Sequence, residues 1–113
     1  MSAITTHILD ISRGRPAAGV AVTLEHRDAR GWQVLGRGAT DADGRLGSLL
    51  PAGFDLQAGA YRLTFRTLDY FAARGVESFY PEVTIIFIIA DAAAHYHVPL
   101  LLSPYGYSTY RGS

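Results

Sequence analysis

The sequence predicts an all-β domain built as a sandwich or a barrel. Apolar residues recur with a period of two in several segments, and Val20, Val22 and Leu24 alternate in this way with more polar neighbours. A period of two is the signature of a strand with one buried and one solvated face. Turn-forming clusters, such as the Asp-Ala-Asp-Gly segment at 41–44, separate these runs. Many short strands with frequent turns favour a sandwich or barrel over alternating strands and helices.

The predicted elements are short strands and a single short helix. Strands are expected at Thr5–Ile11, Val20–Arg27, Trp32–Arg37, Arg45–Leu49, Tyr61–Arg66, Glu82–Ala90, His95–Leu102 and Gly106–Tyr110. In the helix, Asp69 is expected to cap the start, Tyr70–Arg74 to form the helical turns, and Gly75 to close the end.

Two segments of the predicted strands, 83–90 and 98–102, are apolar on both faces. An antiparallel strand in an isolated sandwich would keep one polar face, so this pattern favours an outer face that another subunit covers. Pro99 cannot donate a ladder hydrogen bond, which favours an edge position or an irregularity at this residue.

The composition excludes several classes of function. All ten basic residues are arginine, and the absence of lysine excludes Schiff-base chemistry and attachment of pyridoxal phosphate. There is no cysteine, which excludes disulfides, thiolate nucleophiles and cysteine metal ligands. Ten acidic residues balance the ten basic ones. The chain therefore lacks the excess of positive charge that favours nucleic-acid or acidic-membrane partners.

The length of 113 residues predicts one domain, 1–113. Residues 1–10 lack the basic and apolar regions of a secretory signal. The longest apolar run, 85–90, is far shorter than the roughly 20 residues of a membrane helix. We expect a soluble, cytoplasmic protein.

The residues that can carry chemistry are scattered along the chain. His95 and His97 are two residues apart on a predicted strand, so both rings face the same side, and His7 can join them as a third metal ligand. A solvated histidine pair is the more common outcome of this spacing. His7 alone fits a half-buried strand residue, and Arg45, at the exit of a turn, fits a solvated side chain.

The C-terminal segment is rich in aromatic residues, with Tyr105, Tyr107 and Tyr110 close together. Terminal residues usually fray, so this crowding predicts that the segment docks on the body of the domain. Docking can be packing alone, or it can deliver Arg111 and Ser113 to a functional site.

Several separated segments resemble the transthyretin-related family across nearly the whole chain. They are 5–10 (Thr-Thr-His-Ile-Leu-Asp), 14–17 (Gly-Arg-Pro-Ala), 43–45 (Asp-Gly-Arg) and 96–113, which ends in Tyr-Arg-Gly-Ser. This ending resembles that of the hydrolase branch of the family. Together with His7, Arg45 and His97 in the same order as in that branch, it makes a chance resemblance implausible. Transthyretin, the thyroid-hormone carrier, lacks the ending and does not keep these three residues.

The resemblance implies a transthyretin-like sandwich of two four-stranded sheets with one short helix. It implies a homotetramer, a dimer of dimers, with sites at the dimer–dimer interface. The implied reaction is hydrolysis of 5-hydroxyisourate to 2-oxo-4-hydroxy-4-carboxy-5-ureidoimidazoline in urate degradation, without a metal or a cofactor.

The resemblance also implies roles for individual residues. His7 and His97 would activate water and transfer protons, and Arg45 would bind the substrate's carbonyl edge and stabilise oxyanion charge. Ser113 would position substrate or water through its hydroxyl or the terminal carboxylate. Tyr110 and Arg111 would bind substrate, or Arg111 would hold the tail in place.

The sequence leaves three alternatives open. One is a transthyretin-like carrier that binds a small molecule without converting it. Another is a structural or interaction domain in which the histidines and arginine are merely solvated. The third is a metallohydrolase that uses His7, His95 and His97.

Overall fold

The computed structural model describes residues 3–113, and over this range nine strands and one helix form two sheets. The first sheet contains β1 (Ile4–Asp10), β2 (Arg15–Pro16), β5 (Arg45–Leu46), β8 (Tyr96–Ser103) and β9 (Gly106–Thr109). The second sheet contains β3 (Ala21–Asp28), β4 (Gly31–Ala39), β6 (Gly59–Phe65) and β7 (Val83–Ile89), and helix α1 (Thr67–Ala72) follows β6. The predicted sandwich with one short helix is confirmed, with five strands instead of four in the first sheet.

The strand order of the first sheet brings distant parts of the chain together. β1 lies between β2 and β8, β9 follows β8, and β5 also pairs with β1. β1 and β8 run parallel and place Thr5 beside His97. The antiparallel pairing of β1 with β5 sets His7 opposite Arg45. Residues from the start, the middle and the end of the chain therefore meet on one sheet.

The core follows the alternation that the sequence predicts. In β1, Ile4 and Ile8 are fully buried, whereas Thr5 and His7 are only partly buried and belong to the opposite face. Other large side chains that are fully buried are Leu24, Leu49, Tyr61, Leu63, Phe65, Phe71, Ile89, Leu100 and Leu102. Because successive strand residues point to opposite faces, burying these apolar residues leaves the polar face of β1 outside the sandwich.

A buried carboxylate fastens helix α1 to the end of β1. Asp10 is buried, and its Oδ2 accepts a hydrogen bond of 2.9 Å from the Tyr70 hydroxyl while its Oδ1 accepts one of 2.5 Å from the Ser12 hydroxyl. A buried charge is tolerated when hydrogen bonds of this kind satisfy it. Burial and the Asp10 carboxylate raise the pKa of Tyr70, so the phenol keeps the proton that it donates.

Helix α1 begins earlier than the sequence predicts. It spans Thr67–Ala72, and among the described residues no side chain caps its start. Asp69 lies inside the first turn, where a carboxylate is favourable, and it is 3.2 Å from the Arg66 guanidinium. The predicted cap at Asp69 is therefore wrong. The helix also ends at Ala72, two residues before the predicted Arg74. Gly75 has a φ of +70° and lies in the turn that follows the helix.

Two short strands also differ from the prediction. The strand expected at Arg45–Leu49 is limited to Arg45–Leu46, and β2, at Arg15–Pro16, was not expected. Both are only two residues long, which is too short for a period of two to be recognised in the sequence.

Pro99 lies in a central strand, because β8 pairs with both β1 and β9. The predicted edge position is therefore wrong, and the predicted irregularity is confirmed. β9 pairs with β8 as far as Thr109, opposite Leu100, and the tail rejoins β8 only at Gly112, opposite His97. Pro99, which has no N–H to donate, lies within this interruption of the pairing between β8 and the C-terminal segment.

The outer face of β7 is apolar, as the sequence predicts. Ile86 and Ile88 are 59% and 68% exposed in the single chain. Over the described part of the chain, no helix combines the length and the apolar character needed to cross a membrane.

Candidate active site

A cavity of about 340 Å³ opens on the first sheet beside β1, β5 and β8. Its lining residues are Thr5, Thr6, Arg45, Leu46, Gly47, His95, His97 and Ser113. The lining therefore includes three of the four predicted catalytic residues.

A tight turn before β5 presents Arg45 to this cavity. The Asp41 Oδ1 accepts hydrogen bonds from the main-chain N–H groups of Asp43, at 2.9 Å, and Arg45, at 3.0 Å. Gly44 completes the turn with a φ of +74°, a conformation that favours glycine. The N–H of Arg45, followed by that of Asp43 and by the charges of Arg45 and His7, lowers the pKa of Asp41, and burial opposes this shift. The carboxylate therefore stays ionised and holds the turn.

The imidazole of His97 is held by Thr5. The distance from Thr5 Oγ1 to His97 Nδ1 is 2.8 Å, and the distance from the same oxygen to His95 Nε2 is 3.2 Å. Burial is the largest cause that lowers the pKa of His97, followed by the positive charges of Arg45, His7 and His95. Hydrogen bonding with the Thr5 main chain acts in the opposite direction. A histidine with a lowered pKa is neutral at neutral pH and can accept a proton.

His7 is near the cavity without being one of its lining residues. It is directly opposite Arg45 in the β1–β5 ladder, and its charge affects the pKa of both His97 and Asp41. The structure therefore places His7 in the same group of polar side chains as Arg45 and His97.

The C-terminal tail docks on the domain as predicted and borders the cavity, although Tyr105, Tyr107 and Tyr110 are themselves exposed. The Gly112 N–H donates a hydrogen bond of 2.8 Å to the His97 carbonyl. A Cβ atom at Gly112 would lie 2.6 Å from His97 Cδ2 and 3.2 Å from Pro99 Cγ. Only glycine permits this approach without displacing the imidazole. Ser113 follows directly and lines the cavity.

Tyr110 and Arg111 lie elsewhere in the single chain. Both line a second cavity, of about 250 Å³, which is bordered mainly by apolar residues of β7 and β8. The Arg111 guanidinium is 4.4 Å from the centre of the Tyr96 ring and donates a hydrogen bond of 3.3 Å to the His95 carbonyl. These contacts anchor the tail. A role of Tyr110 and Arg111 in substrate binding stays a prediction.

Sequence reasoning missed Thr5, Thr6, Leu46 and Gly47 as lining residues. Thr5 carried a usable signal, because a strand residue two positions before His7 must share its face. For the other three residues, the sequence offers no comparable signal.

The described residues contain no group of three or more His, Asp or Glu side chains placed to hold a metal ion. The chemical groups at the cavity are instead imidazoles, a guanidinium and the hydroxyls of Thr5, Thr6 and Ser113. Imidazoles can transfer protons at neutral pH, and a guanidinium can stabilise negative charge on a carbonyl oxygen.

Two packed sheets with a histidine- and arginine-lined cavity define a β-sandwich protein whose cavity holds groups able to transfer protons. Residues 4–112 match the model of the HIUase/Transthyretin family, and the chain belongs to this family. The predicted resemblance is confirmed.

Individual relatives agree with this assignment. The chain is 51% identical to the 5-hydroxyisourate hydrolase of Caulobacter vibrioides, with 100% of both chains covered. Its fold is similar to that of Klebsiella pneumoniae 5-hydroxyisourate hydrolase, with a TM-score of 0.86, 42% identity and 100% of both chains covered. Transthyretin from Sparus aurata gives a TM-score of 0.90 at 32% identity, covering 99% of this chain and 97% of that one.

Proposed function

We propose that this chain is an enzyme that hydrolyses 5-hydroxyisourate in urate degradation. The observation that carries the proposal is the meeting of Arg45, His97 and Ser113 at one cavity in a member of this family. The 5-hydroxyisourate hydrolase relatives cover the full length of the chain, including the tail that reaches this cavity.

The proposed reaction opens a ring amide with water. A neutral histidine, His7 or His97, removes a proton from water as the new C–O bond forms at the amide carbonyl. The Arg45 guanidinium stabilises the oxyanion that develops on the carbonyl oxygen. The C–N bond then breaks and the leaving nitrogen receives a proton from a histidine. Ser113 positions the water or the substrate, and Tyr110 and Arg111 contribute to substrate binding.

The test follows the ultraviolet decay of 5-hydroxyisourate generated from urate by urate oxidase. The wild type is expected to accelerate the decay, and His97→Ala to lose this acceleration. His26→Ala is the matched control, because His26 also lies on a strand but contacts Phe54 and Tyr61, away from the cavity. A wild-type rate equal to the spontaneous rate would refute the proposal.

The same assay separates the alternatives. A carrier would bind the substrate in a fixed ratio without consuming it, and a structural domain would show neither binding nor turnover. A metallohydrolase would lose activity when a chelator removes its metal. We expect full activity in the presence of chelator, since the proposed chemistry uses only protein groups.

We further propose that the chain acts as a homotetramer, a dimer of dimers with the sites at the interface between dimers, in the cytoplasm. The exposed side chains of Ile86 and Ile88 support the proposal, because they form an apolar surface that another subunit can cover. Within residues 3–113, strands β7 and β9 each pair on one side only, so both can accept a strand of a second copy. Sedimentation equilibrium should give four times the chain mass of 12.2 kDa, and a monomer would contradict the proposal. The single domain over 1–113 also stays a prediction.

A further inference from the structure

The hydroxyl of Thr5 lies between two imidazole rings. Its oxygen is 2.8 Å from His97 Nδ1 and 3.2 Å from His95 Nε2, both within hydrogen-bond distance. The parallel pairing of β1 with β8 sets this geometry, because it places Thr5 directly beside His97. Thr5 also lines the cavity together with both histidines.

A hydroxyl has one proton to donate, and this limits how the three groups can bond. If the hydroxyl donates to one neutral imidazole, it is free to accept an N–H only from the other. Thr5 therefore links the two rings. When the proton of His95 is on Nδ1, the Thr5 hydroxyl donates to His95 Nε2 and accepts from His97 Nδ1–H. The opposite arrangement would put the His97 proton on Nε2.

The surroundings of His97 favour the first arrangement. Thr5 holds Nδ1, and the tail lies against the Cδ2 edge of the ring at Gly112, so Nε2 is the nitrogen left for the cavity. The other groups that face the ring from neighbouring elements are His7 on β1, Arg45 on β5, His95 and Ser113. A guanidinium at the same cavity repels an N–H proton and attracts a lone pair. The tautomer of His97 that leaves Nε2 unprotonated is therefore favoured.

We infer that Thr5 is a positioning residue that fixes His97 as the Nδ1–H tautomer, with the basic Nε2 directed to the cavity. Its hydroxyl accepts the Nδ1–H of His97 and donates to His95 Nε2. When Nε2 takes a proton from water, the Nδ1–H bond to Thr5 is kept and stabilises the imidazolium, as an orienting group does for a catalytic histidine. The inference deepens the proposed hydrolase function by making His97 the general base.

The test uses nitrogen-15 NMR of the ring nitrogens in protein labelled at histidine. In the wild type, His97 should show a protonated Nδ1 and an unprotonated Nε2 at neutral pH. Free histidine prefers the opposite tautomer, Nε2–H. Thr5→Val keeps the shape and strand preference of the residue without the hydroxyl, and it should shift His97 towards Nε2–H. Thr5→Ser keeps the hydroxyl and should restore the wild-type spectrum.

Turnover is measured on the same proteins. Thr5→Val is expected to lower kcat by about two- to tenfold, the range for one lost neutral hydrogen bond, with little change in KM, and Thr5→Ser to restore it. The inference is overturned if wild-type His97 carries its proton on Nε2, or if Thr5→Val leaves the ring signals unchanged. Should Thr5→Val fail to fold, His95→Phe removes the other partner of the hydroxyl and must also change the His97 signals.

The turnover assay and the NMR measurement test the proposed function and the inference about Thr5 separately. The turnover arm rests on the hydrolase proposal, whereas the NMR arm does not depend on any substrate. A wild type without activity but with the expected tautomer would refute the hydrolase and leave the role of Thr5 in place.

Discussion

Arg45 and Arg62 are both strand residues, one on each sheet, and their surroundings differ sharply. Arg62 donates two hydrogen bonds of 2.9 Å to the two carboxylate oxygens of Glu25, and its guanidinium lies 4.3 Å from the centre of the Trp32 ring. Over the described residues, the Arg45 side chain forms no ion pair, and it faces a cavity that His97 also lines. An arginine whose donors are used by the protein stabilises the sheet, whereas one whose donors face a cavity is available to a ligand.

Two of the strand histidines, one on each sheet, differ in the same way. His26, on β3, contacts the aromatic rings of Phe54 and Tyr61. His97, on β8, is oriented by the Thr5 hydroxyl and exposed to the charge of Arg45. Residue type alone therefore does not distinguish a functional histidine or arginine from a structural one. The neighbours supplied by the fold make the distinction.

The largest expected effect comes from removing the tail. Deleting Tyr110–Ser113 should reduce hydrolysis to the spontaneous rate, because Ser113 and the Gly112 contact on His97 are lost together. Every strand ends at or before Thr109, so the protein should stay folded and assembled, as judged by circular dichroism and sedimentation. Full turnover in the truncated protein would show that the tail is not part of the active site.

A smaller change at the same place is Gly112→Ala. Its Cβ would lie 2.6 Å from His97 Cδ2, so the imidazole or the tail must move. We expect turnover to fall by about tenfold or more, since displacements near 1 Å in a catalytic group can cost about a hundredfold. Gly106→Ala is the matched control, because its Cβ would approach only Ser103 Oγ, at 3.8 Å. Equal activity of the two variants would show that the close approach at Gly112 is not required.

Substitutions of the two arginines should differ in their effect on the pH dependence of kcat/KM. Burial and the charges of Arg45, His7 and His95 hold the pKa of His97 below its ordinary value of 6.5. A neutral base is lost as the pH falls through its pKa, so activity should persist at pH 6.5 and decline below it. Arg45→Met removes a cation beside His97 and should move this decline to higher pH, whereas Arg62→Met should leave it in place. An acid limb at or above pH 6.5 in the wild type would contradict the lowered pKa.

The smallest expected effect concerns the second sheet. Arg62→Ala removes the bonds to Glu25 and the stacking on Trp32, and should lower the free energy of unfolding by about 1 kcal/mol because the pair is partly solvated. Denaturant unfolding measures this change. Activity should stay at the wild-type level, and a large loss would mean that the second sheet supports the site.

Much of the fold could be predicted because it rests on a local pattern. The alternation of Val22 and Leu24 with polar neighbours gave β3, and both residues are buried as expected. The start of α1 was missed because no side chain among the described residues caps it, so the usual polar cap signal was absent. β5 is short because only Thr6 and His7 of β1 pair with it, a tertiary constraint that residues 45–49 do not carry.

The site was predictable in its reactive residues and not in its supporting contacts. Arg45 and His97 were identified through the family resemblance, and the structure places both at the cavity. The bond from Thr5 to His97 joins residues 92 positions apart, and only the register of two parallel strands creates it. Likewise, Tyr110 and Arg111 line the second cavity just after β9 stops pairing with β8 at Thr109, and the terminal motif does not encode this placement.

The most direct test compares Arg45→Ala with Arg62→Ala in the decay of 5-hydroxyisourate generated from urate. We predict that Arg45→Ala lowers the enzymatic rate by about 10²–10³, the usual cost of losing one preorganised donor to an oxyanion, while Arg62→Ala keeps the wild-type rate. Equal rates for the two variants, or a wild type no faster than the spontaneous reaction, would contradict this prediction.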